Sequence, residues 1–328
     1  MKALVYDGPE ALGFRDVPDA VAGPGQQLIK VMSVGVCGSD MHAYLGHDER
    51  RPAPLILGHE AAGEIIGGPR AGERVTLNPL VTCGTCAACT SGHDNLCAER
   101  LIISMPPREG AFAQMVAMRD ENLVSVPDHI SLDAASLAEP IACGWHAVRL
   151  AKQTLPEARR ALVIGGGAIG LGAALSLSAQ GITEVTILEP NAMRRDVLNG
   201  PCQQVAISPD DLPADAMFDV IIDGVGYAAT RATASAHARP GGVIAHIGLG
   251  EATGGLDIRR MTLQEITFFG TYTYTAQDFR DTAAAIFDGR LGPLDWTEQR
   301  PLSAGASAFA DIRAGKTAAP KIVLRPND

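Results

Sequence analysis

The chain has 328 residues, 46 % hydrophobic and 20 % charged, and a net charge of −10. That is core enough for two ordinary domains, and an acidic chain with no block of Lys or Arg argues against a nucleic-acid partner, whose footprint is a basic patch. Residues 1–6 read as a first β-strand rather than a signal peptide, and three adjacent glycines break the one long uncharged run, 161–183, so it reads against a membrane span; a cytoplasmic protein is the expectation.

The first 150 or so residues read as strands and turns. Residues 28–36 form a strand that runs into Cys37-Gly38-Ser39-Asp40-Met41-His42. The polar loop His47-Asp48-Glu49-Arg50-Arg51 follows, read as solvated charge at a pocket rim, with contact of Arg50 or Arg51 to a polar or anionic substrate as the alternative. Next come the apolar residues 55–57 and Gly58-His59-Glu60-Ala61-Ala62-Gly63, with a strand over 60–66. Cys37 and His59 supply a thiolate and an imidazole, both good zinc ligands. A catalytic zinc also needs a third ligand and a position open to water or substrate. Glu60 and Glu139 are the two candidates for that third place. Glu139 is flanked by Leu137, Ala138, Pro140 and Ile141, where a lone carboxylate is costly unless paired or metal-bound.

Between these segments lie Cys83, Cys86, Cys89 and Cys97, spaced C-x2-C-x2-C-x7-C. Four thiolates about 2.3 Å from one ion make a closed tetrahedral zinc site. No position is left for a substrate, so the role is structural. His93 lies inside this loop and reads as a loop residue. A further strand is expected at 110–116, and a helix starting near 145.

From 161 to 274 apolar strand candidates (161–164, 184–188, 219–222, 243–247) alternate with helical segments (168–180, 192–198, 228–238). Fully apolar strands separated by helices indicate a parallel sheet covered on both faces. Gly165-Gly166-Gly167-Ala168-Ile169-Gly170 follows the first of these strands and opens a helix, the context in which G-x-G-x-x-G binds a dinucleotide pyrophosphate. Glu189, nineteen residues on, ends the second strand. A carboxylate there accepts the adenosine ribose hydroxyls and repels a 2′-phosphate, which favours NAD over NADP, although Arg194 and Arg195 follow closely. Residues 266–274 read as a last strand, an edge suited to pairing with another subunit. A helix is expected over 276–288, and 321–324 reads as a strand returning to the first domain.

These motifs in this order resemble the zinc-dependent medium-chain dehydrogenases/reductases, in particular the sorbitol and polyol branch. The resemblance implies an α/β protein: a GroES-like β-barrel catalytic domain at 1–146, a Rossmann-type doubly wound parallel sheet domain at 147–274, and a return to the catalytic domain at 275–328. It implies two zinc ions per subunit, one structural and one catalytic. Cys37, His59 and Glu60 hold the catalytic ion, Glu139 ligates it or hydrogen-bonds its water, and Asp40 orients His59. Gly165, Gly167, Ile169, Gly170, Glu189 and Arg194 line the dinucleotide site. The implied reaction is NAD-linked oxidation of a secondary alcohol or polyol, with Ser39 taking the hydroxyl proton and His42 passing it to solvent. Where sorbitol dehydrogenases carry Phe-Arg-Tyr, this chain has Tyr272-Thr273-Tyr274, which leaves a sugar-phosphate or amino-alcohol substrate as the alternative. A homodimer or homotetramer is expected.

Overall fold

The computed structural model describes residues 1–328. Its contacts divide the chain into two compact units, one formed by Met1–Glu139, Thr275–Asp288 and Thr297–Asp328, the other by Pro140–Tyr274 and Gly289–Trp296. No helix is long and apolar enough to cross a membrane.

The first unit is built around the strand Gln26–Gly35, long enough to pair along both edges. Glu60–Ile66 lies antiparallel on one side, with Val34 opposite Ala61 and Gly35 opposite Glu60. Met115–Arg119 and the C-terminal strand Lys321–Arg325 also pair antiparallel with it, the latter with Val323 opposite Gly35. Arg74–Leu77, Leu123–Ser125 and Thr297–Pro301 complete the sheet. Leu4, Ile29, Leu57, Phe112 and Phe309 fill the core that this sheet encloses with the sheet of Ala11–Asp16, Lys2–Gly8 and Leu55–Ile56. Phe112 meets Phe309 edge-on, with ring centroids 6.0 Å apart.

Two expectations are corrected here. The strand expected at 110–116 begins only at Met115. Residues 110–112 instead hydrogen-bond the backbone of Ile56, Leu57 and Gly58 as an irregular segment. The helix expected near 145 starts at Ala138 and runs to Thr154. Pro140 falls in its first turn, where a missing N–H costs nothing, so it does not mark an end.

The second unit carries the expected parallel sheet, in the order Ala206–Ile207, Glu184–Leu188, Arg160–Ile164, Phe218–Asp223, Ala238–His246 and Thr267–Gly270. Helices Ala168–Ala179, Ala192–Asn199 and Ala228–His237 connect the strands. The strand order reverses beside Arg160–Ile164, the switch point where open α/β sheets bind ligands. The strand expected at 266–274 is only Thr267–Gly270. Thr273 turns into the left-handed region at φ 46°, and Thr275 caps the next helix, Ala276–Phe287, by accepting from the Asp278 N–H.

Candidate active site and metal centres

Cys37, His59 and Glu60 come together in the first unit: their ligand atoms all lie within 4.8 Å of one another. Cys37 precedes the short helix Gly38–Tyr44. Asp40, in the first turn of that helix, binds back to it. Its Oδ2 accepts the Cys37 N–H at 3.0 Å, and its Oδ1 accepts the Gly58 N–H at 3.2 Å. One carboxylate therefore ties together the two segments that carry the cluster. The same Oδ1 stands 3.5 Å from His59 Nδ1, and Ser104 Oγ stands 3.4 Å from that nitrogen. With Nδ1 so engaged, Nε2 is the ring nitrogen available to a metal. Burial opposes the charge on both partners, but the pairing outweighs it. Asp40 stays below the usual carboxylate range, and His59 is held well above the usual imidazole value by Asp40 and Cys37.

The donor set fits zinc on one further observation. Glu60 is fully buried, and its Oε2 has no hydrogen-bond partner. An orphaned buried carboxylate oxygen costs free energy unless a cation takes it. The cluster does not include Glu139. That residue is buried in the first turn of the helix Ala138–Thr154.

Cys83, Cys86, Cys89 and Cys97 form the second cluster, again within 4.8 Å. None is in a disulfide. Sulfur separations of 3.5 Å (Cys86 to Cys89), 3.6 Å (Cys97 to Cys83) and 3.9 Å (Cys83 to Cys89) match the roughly 3.8 Å between thiolates sharing one tetrahedral zinc. Backbone N–H groups and the Thr85 hydroxyl lower the Cys83 thiol to about 6, while burial and neighbouring thiols push Cys89 up to about 11. His93 lies outside the cluster, its Nδ1 3.2 Å from Ser91 Oγ.

In the second unit the glycine turn joins the strand Arg160–Ile164 to the helix Ala168–Ala179, with Gly167 at the N-cap. Gly170 is required there, because a Cβ would collide with the Gly165 carbonyl. Glu189 lies against the turn: its Oε2 accepts the Gly166 N–H and its Oε1 the Asn191 N–H, both at 2.8 Å. Arg194 Nη1 stands 3.7 Å from Glu189 Oε2, and Arg195 donates to the Glu189 and Pro190 carbonyls.

Residues 23–128 match the alcohol dehydrogenase GroES-like domain, and residues 168–288 match the zinc-binding dehydrogenase domain. The sorbitol dehydrogenase of Bacillus subtilis is 33 % identical over 293 residues, 84 % of this chain and 82 % of that protein. The chain belongs to the zinc-dependent medium-chain dehydrogenases. The L-galactonate-5-dehydrogenase of Escherichia coli is 29 % identical over 306 residues, 89 % of this chain and 88 % of that protein. The structure of an acetophenone reductase from Geotrichum candidum in complex with NAD has a TM-score of 0.86 at 25 % identity, covering 99 % of this chain and 96 % of that one. The protein is therefore an oxidoreductase of the alcohol and polyol dehydrogenase class that works with zinc and a nicotinamide dinucleotide.

The dehydrogenase's other site residues divide in two. Ser39 and His42 lie three apart on the helix Gly38–Tyr44 and so share a face; Ser39 is half-buried and His42 exposed. Arg51, expected at a solvated rim, is only 3 % exposed. It donates to the Ser39 and Ser104 carbonyls at 3.0 Å each and pairs with Asp48 at 3.0 Å. Burial is offset because Nε and Nη1 of the guanidinium meet two backbone carbonyls and a carboxylate. Three buried residues of this dehydrogenase's site escaped the sequence reading: Ser104, Arg51 as a tether, and Lys321, whose Nζ lies 2.6 Å from Glu60 Oε1. Nothing in their local sequence signals them, since each acts only through a residue distant in the chain.

Proposed function

We propose that the dehydrogenase oxidises a secondary alcohol of a polyol or sugar-derived substrate to the ketone, with NAD as the hydride acceptor. The observation that carries the reading is the Cys37–His59–Glu60 cluster with its buried, unpartnered Glu60 Oε2. Bound there, zinc supplies the Lewis acid that lowers the pKa of the substrate hydroxyl, and the dinucleotide accepts the hydride.

The chain's own residues do the rest. Asp40 and Ser104 fix the His59 ring. Ser39 is held from behind by Arg51 and takes the hydroxyl proton. His42, on the same helical face and exposed, delivers that proton to solvent. Glu139 serves as the second carboxylate of the site. The backbone N–H groups at Gly165, Gly167, Ile169 and Gly170 receive the pyrophosphate, and Glu189 receives the adenosine ribose. Arg194 and Arg195 are directed to Glu189 and its neighbouring carbonyls, which supports NAD over NADP. Arg51 is spent on backbone carbonyls and Arg50 on Asp48, so neither supports a sugar-phosphate substrate. The missing arginine at Thr273 supports a substrate other than sorbitol.

The test is reduction of NAD and of NADP with a panel of polyols, sugar acids, secondary alcohols, sugar phosphates and amino alcohols, before and after chelator treatment. The reading expects chelator-sensitive NAD reduction with an uncharged or sugar-derived secondary alcohol. Turnover that survives loss of both metals, or that requires a phosphate on the substrate, would overturn it.

A further inference from the structure

The ion pair between Lys321 and Glu60 has no part in the chemistry above. Lys321 is 4 % exposed, and Glu60 is fully buried. Lys321 Nζ donates to Glu60 Oε1 at 2.6 Å and to the Val36 carbonyl at 2.9 Å. The sheet builds this contact. Gly35 lies opposite Glu60 on one side and opposite Val323 on the other, and the Val36 N–H donates to Ile322. The register thus carries Lys321 to the end of the strand, where Cys37 begins. Gly35 is part of the same design: a Cβ there would collide with Glu60 Oε2, so the carboxylate lies folded over the strand.

The two carboxylate oxygens are consequently unequal. Oε1 is bound by the ammonium, while Oε2 is buried without a hydrogen-bond partner. Stability alone does not call for such a pair, because apolar residues of similar volume commonly replace a buried ion pair at no loss.

We propose that Lys321 is a positioning residue of the reactive metal site, anchoring Glu60 through Oε1 so that Oε2 is the single oxygen offered beside Cys37 and His59. The inference rests on the zinc reading above and deepens it. A carboxylate held by one oxygen cannot close on the ion with both, so a position stays open for the substrate oxygen. A carboxylate that shares its charge with an ammonium also donates less, which keeps the ion a stronger Lewis acid. Without Lys321 both oxygens are free, and the only cation left to neutralise the buried carboxylate is the metal. The metal is then held more tightly and serves the reaction less well.

The experiment loads Co²⁺ into the reactive site of the full chain, with zinc left in the four-cysteine loop. Release of Co²⁺ to excess chelator, its visible absorption and the metal-dependent rise in Tm are compared among the parent, Lys321→Met, Lys321→Arg, Glu60→Gln and the Glu60→Gln/Lys321→Met double variant. Lys321→Met is expected to release Co²⁺ about tenfold more slowly, the scale on which groups around a metal ligand act. It is also expected to show an altered absorption spectrum and a larger metal-dependent rise in Tm. Lys321→Arg should recover most of the parental release rate, and Lys321→Met should change nothing in the Glu60→Gln background. If the methionine variant does not fold, Lys321→Gln takes its place in the same comparison. Release and absorption identical to the parent overturn the proposal, as does an equal slowing in the Glu60→Gln background. A parent that binds a metal only in the four-cysteine loop sinks the zinc reading itself; two bound metals with no effect of Lys321 sink only this inference.

Discussion

The two metal clusters obey opposite rules. The four cysteines lie within one loop, three of them partly exposed, and their supporting contacts are mostly their own backbone N–H groups and one another. The loop's link to the rest of the first unit is structural: Asp94 accepts the Ala276 N–H at the start of the helix Ala276–Phe287, 3.0 Å away. Cys37, His59 and Glu60 are instead braced by Asp40, Ser104, Arg51 and Lys321, all buried and drawn from separate segments. A closed site has its geometry set by the ion, which occupies all four ligands. A site that keeps a position open cannot rely on the ion, so the fold must hold each ligand from behind.

The sharpest way to break this comparison is to remove one ligand from each cluster. Cys37→Ser should lower kcat/KM by about 10³-fold or more, since several kcal/mol of charge stabilisation is lost. Metal analysis should show one of two ions missing, with Tm lowered only by the stabilisation that the reactive-site metal itself supplies. Cys97→Ser should do the reverse. Its Tm should fall by about 10 °C, the scale of a few kcal/mol in a chain of this size, while activity per folded molecule is retained. A Cys37→Ser variant that unfolds, or a Cys97→Ser variant that folds normally but is inactive, would merge the two roles.

Proton linkage sharpens the comparison further. In the metal-free chain Asp40 and Cys37 hold His59 well above the ordinary imidazole pKa against the effect of burial. Metal needs the neutral ring, so loading expels that proton. As pH falls below the raised pKa, affinity at the reactive site should drop about tenfold per unit for this proton, starting at a higher pH than an ordinary histidine would give. Asp40→Asn lowers the His59 pKa and should move that onset toward acid, as read by Co²⁺ titration across pH. An onset unmoved by Asp40→Asn would detach Asp40 from His59.

The smallest effect concerns ion pairs outside both clusters. Glu73 is held down to about 2, first by Arg70 and then by Ser125. Its folded pKa is depressed, so its contribution is present above the unfolded value and is lost as pH falls from about 4.5 toward 2. The pair is near the surface, with Arg70 28 % and Glu73 31 % exposed, so screening limits it. Arg70→Ala should cost under about 1 kcal/mol at neutral pH, with the difference from the parent vanishing in acid denaturation below the native pKa. A larger loss would place Arg70 and Asp120, 2.6 Å apart, in a network stronger than its exposure allows.

Much of the molecule was legible in the sequence because its signals are local. The strand over 60–66 matches Glu60–Ile66, and the helix expected at 168–180 ends one residue early. The parallel strands follow their apolar runs, since strands buried on both faces leave no other pattern. Elements of two residues, such as Ala206–Ile207, carry no periodicity and were invisible. The helix Ala138–Thr154 begins seven residues before the start expected near 145.

The sequence by itself determined the chemistry on offer: four thiols in one loop, a glycine turn between strand and helix, and a cysteine, histidine and glutamate of the right kinds. Each is a property of residue type and short spacing. Only the tertiary structure decided which oxygen of Glu60 is free, that Ser104 and Asp40 share His59 Nδ1, and that Arg51 is a buried tether. It also decided that Lys321, 261 residues beyond Glu60, supplies the neighbouring cation. Those contacts depend on strand register, and register is fixed by the packing of the whole sheet.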